Sequence, residues 1–161
     1  MRLSSACSLA LLCFSSLAAA SFVTTAPAGA AGFTCNGTSP ALRFGTPPAG
    51  TKSLAIIVWD QGPQRLLGRW TVYDLKPGTP GLPAKLKIGD PLGKQGVSEA
   101  GTPGYAAPCG ARGRHDIYVD TYALNVASLG LPDGAPLQTV HAAIKRHKIV
   151  EDKLHVVLTT P

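Results

Sequence analysis

The side chains that could do chemistry are few. The apolar run Ser53-Leu54-Ala55-Ile56-Ile57-Val58-Trp59 ends on a carboxylate, Asp60. Far along the chain, Gly113-Arg114-His115 places an imidazole at the start of a second strand-like run. An imidazole can donate a hydrogen bond to an anion. A carboxylate can orient that imidazole or accept a proton from a cationic headgroup. Arg69 adds a guanidinium that is always charged and suited to bidentate phosphate binding. It has two readings: an anion anchor, or an inward partner for Asp60 that closes the site.

Other chemistries find little support. His141 and His147 are six residues apart, not the three or four that share a helix face, and His155 stands alone, so no metal site is expected. There is no G-x-S-x-G, no H-E-x-x-H and no phosphate loop between a strand and a helix. Asp60 and His115 as a hydrolytic base pair would lack an evident nucleophile and oxyanion hole. Cys109 beside His115 as a nucleophile is incompatible with a disulfide at that cysteine. The expectation is a non-enzyme without a cofactor.

These residues need elements to carry them. Leu54 to Trp59 is continuously apolar and reads as a strand buried on both faces. Arg69 to Leu75 reads as a second strand, stopped by Lys76-Pro77-Gly78, and Asp116 to Asn125 as a third. Leu42 to Phe44 and Leu154 to Leu158 are shorter strands. Leu137 to Ile149 has helical periodicity, with Val140, Ile144 and His147 on one side. Residues 79–103 read as a long loop. With 18 Gly, 14 Pro and 6% aromatics in 161 residues, the chain suits one β-rich domain with a Val, Ile, Leu and Ala core.

The net charge is +6 and the pI about 9.4. The basic residues are scattered and do not alternate with aromatics, so a solvated surface is expected rather than nucleic-acid binding. Residues 1–20 have the form of an export signal: Arg2, the apolar centre Leu9 to Phe14, and Ala18-Ala19-Ala20 before Ser21. The apolar stretch is too short for a permanent membrane span. Export implies a secreted or periplasmic protein. Residues 21–32 read as a flexible tail and 33–161 as the domain. Loss of Cys7 and Cys13 with the signal would leave Cys35 and Cys109, a pair that suggests a disulfide in an exported chain. Two buried free thiols are the alternative.

From about Phe33 to Leu158 the chain resembles the phosphatidylethanolamine-binding protein family, in particular its bacterial Raf-kinase-inhibitor-like branch. The resemblance rests on Thr34-Cys35-Asn36-Gly37 with Ser39-Pro40, Pro48 to Ala55, Trp70-Thr71-Val72-Tyr73, Gly104 to Cys109, His115 and Tyr122-Ala123-Leu124. It implies a mainly β fold of two antiparallel β-sheets with a few peripheral helices. It also implies a pocket for phosphate-like or acetate-like anions, with Asp60, Pro108 and His115 at matching positions. Arg69 stands where the family usually has a histidine. Ile117 stands where it usually has an aromatic, often tyrosine, so that hydroxyl is missing. The loop Asp60-Gln61-Gly62-Pro63-Gln64 lacks the family's second carboxylate.

The implied ligand is a small anion or a phospholipid headgroup held by Asp60, Arg69, Pro108, His115 and Ile117, with inhibition of a protein target known for some family members. The rival expectation is an interaction or scaffold protein whose pocket has decayed behind an Arg69–Asp60 pair.

Overall fold

The computed structural model describes residues 22–33, 35–109 and 112–161. The expected export segment 1–20, with Cys7 and Cys13, lies outside the described residues. Among the described residues eight strands and one α-helix follow in chain order: β1 (Thr24–Thr25), β2 (Leu42–Phe44), β3 (Ser53–Gln61), β4 (Leu66–Leu75), β5 (Gly81–Leu82), β6 (Lys94–Gln95), β7 (Gly113–Leu124), α1 (Leu137–His147) and β8 (Lys148–Thr160). They form two antiparallel sheets, β1-β2-β5 and β6-β4-β3-β7-β8. Among the described residues no helix is long and apolar enough to cross a membrane.

The apolar run of β3 becomes the central strand of the large sheet, and alternation sends its side chains into two cores. Leu54, Ile56 and Val58 join Trp70, Val72, Ile117 and Val119 against Leu42 and Leu82 of the small sheet. Ala55, Ile57 and Trp59 join Tyr73, Tyr122 and Leu124 under α1, which contributes Leu137, Val140 and Ile144. Continuous hydrophobicity in β3 is therefore the signature of a strand covered on both faces. The helix stops at His147, two residues before the sequence suggested, with Lys145, Arg146 and His147 in its last turn, where positive charge opposes the helix dipole. β8 then starts at once and pairs with β7 from Lys148↔Leu124 to Thr160↔Gly113, far longer than residues 154–158.

Two sequence expectations need correction. Residues 22–32 are not a free tail. β1 pairs with β2, and the Thr24 hydroxyl donates 2.7 Å to Thr121 Oγ1 in a buried contact. The Thr24 N–H donates to Asp152 Oδ2 at 2.6 Å, tying this segment to β8. The small residues of Ala26 to Gly32 suggest a flexible tail, yet the polar groups of Thr24 just before them find partners inside the fold. The long loop 79–103 likewise contains β5 and β6, each two residues long and too short for a period-two signal.

Cys35 and Cys109 form a disulfide, with Cα atoms 5.5 Å apart and a sequence separation of 74. It ties the loop before β2 to the loop that leads into β7.

The β3–β4 pairing has a local feature that matters below. Val58 pairs with Trp70, whereas Trp59 pairs with Gly68. Arg69 is the extra residue of a β-bulge, a device that re-aims a side chain. A β-carbon at Gly68 would stand 2.6 Å from Leu137 Cδ1, so a larger residue there would force the Leu137 side chain of α1 to shift.

Candidate functional site

Asp60 sits at the end of β3, one residue before the hairpin turn, and is 1% exposed. His115 lies near the start of β7, also 1% exposed. Asp60 pairs in register with Ile117, so His115 is one same-face step away on the neighbouring strand. The bulge brings Arg69, 8% exposed, to the same carboxylate.

The geometry is divided between the two carboxylate oxygens. Arg69 Nε and Nη2 both donate to Asp60 Oδ2, at 2.9 and 2.7 Å. His115 Nδ1 lies 2.7 Å from Oδ1. An ionised carboxylate only accepts, so this contact assigns a proton to Nδ1. A buried carboxylate would be costly alone; here both oxygens are met by buried donors, which fixes the orientation of the imidazole and of the guanidinium.

Beside this triad is a depression of about 160 Å³, lined by Asp60, Gly62, Pro63, Arg65, Arg69 and His115 with two neighbours of the β3–β4 turn. Ligand pockets for drug-sized molecules run to roughly 300–1,000 Å³. The space suits an anion or a headgroup, not an acyl chain.

The structure brings together Asp60, Arg69 and His115. Pro108 and Ile117 are not among the residues lining the depression. Ile117 is fully buried in the core between the sheets. Pro108 is buried in the loop before the disulfide, and Pro63 supplies the proline wall. Arg65, exposed in the β3–β4 turn, escaped the sequence reading. Its signal was its place in a short loop immediately after a buried carboxylate.

Tyr105 belongs to the Gly104 to Cys109 stretch that carries the resemblance, but the sequence assigns it no role of its own. Its ring packs edge-on against Trp70 at 5.7 Å, and its buried hydroxyl has no hydrogen-bond partner among the described residues. Burial raises its pKa; the charges of Arg69 and Asp60 act on it in opposite directions. Tyr105 thus brings a buried hydroxyl close enough to feel the charges of both Arg69 and Asp60. Among the described residues no cluster of His, Cys, Asp or Glu could hold a metal ion.

A family model described as phosphatidylethanolamine-binding protein matches residues 20–159. The chain belongs to the phosphatidylethanolamine-binding protein family. The match takes in the β1 segment, in keeping with its integration into the fold. Within bacteria, the chain is 37% identical over 115 residues to a UPF0098 protein of Aquifex aeolicus (strain VF5), covering 67% of each. It is 32% identical over 130 residues to a UPF0098 protein of Chlamydia muridarum (strain MoPn / Nigg), covering 76% of this chain and 84% of that one.

Among solved structures, a putative phosphatidylethanolamine-binding protein homolog from Chlamydia trachomatis matches with a TM-score of 0.76 and 28% identity over 87% of this chain and 98% of that one. E. coli YbcL, described as a member of the mammalian family, matches with a TM-score of 0.76 over 87% of this chain and 99% of its own. At 23% identity YbcL shows the shared fold alone.

Proposed function

We propose that the chain is an exported, non-enzymatic binding protein for a small anion or a phosphorylated headgroup, acting in the periplasm or outside the cell. The observation that carries this reading is the arrangement at one depression. Arg69 and His115 are held rigidly by Asp60, and Arg65 stands at the rim. Asp60 occupies only Nε and Nη2 of Arg69, so the guanidinium keeps further N–H donors for an incoming oxyanion. The donors are fixed before ligand arrives, which lowers the entropic cost of binding. The name of the family's matching model points to the same ligand class. An inhibitory action on a protein target belongs to this proposal as an extension from the family.

One observation favours the rival reading. Arg69 does pair with Asp60, the contact that would close the site in a scaffold protein with a decayed pocket. An NMR titration of the mature protein separates the two, using inorganic phosphate and phosphoethanolamine, with the His115 ring and Arg69 side chain as reporters. Saturable shifts that weaken in Arg65→Ala and vanish in Arg69→Ala support anion binding. Absence of shifts in a folded parent protein supports the scaffold reading.

A further inference from the structure

The face of the large sheet opposite Asp60 carries a second, chemically different groove. It measures about 360 Å³ and lies between β3, β7, β8 and α1. Trp59 and Tyr118, directly opposite each other on β3 and β7, form its aromatic part. His141 of α1 packs edge-on against Trp59 at 5.2 Å, and His155 stacks on Tyr118 at 4.8 Å. Leu66, an exposed apolar residue of β4, forms part of the lining.

An acid also lines this groove. Asp120 is 5% exposed. Its Oδ2 accepts from the Tyr122 hydroxyl at 3.3 Å, a weak contact by length. Its Oδ1 is buried and accepts no hydrogen bond. Lys153 Nζ stands 3.1 Å from that oxygen, but off the direction an N–H···O bond requires. The same ammonium lies 5.6 Å from the centre of the Tyr118 ring. Lys153 is about half exposed, so its stem is free to swing into solvent.

A buried carboxylate oxygen without an aligned donor is an unmet demand. Aromatic faces beside a carboxylate are the means by which proteins hold organic cations. The protein's own lysine shows that an ammonium fits there, although imperfectly. We propose that this groove binds a primary alkylammonium group. In the bound state an N–H of the ligand aligns with Asp120 Oδ1, the cation lies over Tyr118, the alkyl part packs on Leu66 and Trp59, and Lys153 moves aside. This site is separate from the Arg69 depression, and its occupancy does not depend on anion binding there.

The test is a titration of the full folded protein with n-butylammonium chloride at constant ionic strength, read from the Trp59 indole and Tyr118 ring resonances. Saturable shifts at both are expected. Lys153→Ala removes the internal competitor and tightens binding about fivefold. Asp120→Asn keeps the shape and the Tyr122 contact, and weakens binding about tenfold or more. Tetramethylammonium, which has no N–H, binds about tenfold more weakly than n-butylammonium. The proposal is overturned by equal shifts with n-butanol, by unchanged binding in Asp120→Asn, or by equal affinity for tetramethylammonium. It is also overturned if neither the parent nor Lys153→Ala shows saturable shifts.

Discussion

A β-carbon at Gly62 would stand 3.2 Å from both Cε1 and Nδ1 of His115. Gly62 therefore covers the imidazole that Asp60 holds. The ring is buried and pinned at Nδ1, so it cannot retreat without lengthening its contact to Oδ1. Gly62→Ala should cost about 1 kcal/mol by overpacking and lower Tm by about 3 °C. It should also move the His115 ring resonances and weaken phosphate binding. Unchanged ring resonances would show that this contact does not constrain the imidazole.

Arg69 supplies both donors to Asp60 Oδ2. Arg69→Met leaves a buried carboxylate with the His115 imidazole still hydrogen-bonded to it. Breaking a buried pair in this way costs about 3–5 kcal/mol. The double variant Asp60→Asn with Arg69→Met removes the stranded charge and should regain a large part of the loss. Urea unfolding of the two single variants and the double gives the coupling directly. A loss below about 1 kcal/mol in Arg69→Met would put the pair in the class of surface ion pairs.

The disulfide closes a loop spanning β2 to β6, with Asp60 and Arg69 inside it. For a separation of 74 residues the chain-entropy contribution is about 4 kcal/mol. Reduction, or Cys35→Ala with Cys109→Ala, should lower the urea midpoint correspondingly. A free-thiol count on the denatured, unreduced protein should find neither Cys35 nor Cys109 reactive.

His141 lies against Trp59, and its pKa is lowered from the usual 6.5, first by burial and then by the charge of Lys145. Asp120, Glu151 and Glu99 act in the other direction without reversing the shift. A depressed folded value means the unfolded chain takes up the proton first. The stabilisation is therefore full above pH 6.5 and is lost progressively as pH falls from there through the lower folded value. Unfolding free energies at about pH 7.5 and about pH 5.5 should differ more in the parent than in His141→Gln. An NMR titration should place the His141 midpoint below 6.5.

The three long central strands and the helix were legible because each carries a period or a continuous apolar run. Leu54 to Trp59 could only be a strand covered on both sides, and it is. Asp60 and His115 were legible as a pair through the family resemblance and the same-face rule, which placed Ile117 beside His115. What Arg69 does was not legible. Plain alternation along β4 cannot place it, because a one-residue bulge shifts the register between Trp70 and Gly68. Arg65 and the role of Tyr105 were missed for a related reason: both residues lie in loops, whose side-chain directions follow no period. Residues 22–32 were misread because threonine, alanine and glycine look the same in a tail as in a short edge strand.

The bulge gives the chain a sensitivity that no side-chain substitution would reveal. Because Arg69 is the surplus residue of β4, its meeting with Asp60 depends on how many residues the strand contains. Deleting one residue between 66 and 68 leaves every charged group of the site in place. Yet it would let the strand straighten and turn the guanidinium toward the helix, where Leu137 leaves no space. Insertions and deletions in the β3–β4 hairpin are thus a route by which descendants of this chain could lose or regain the charged pair while their site residues look unchanged.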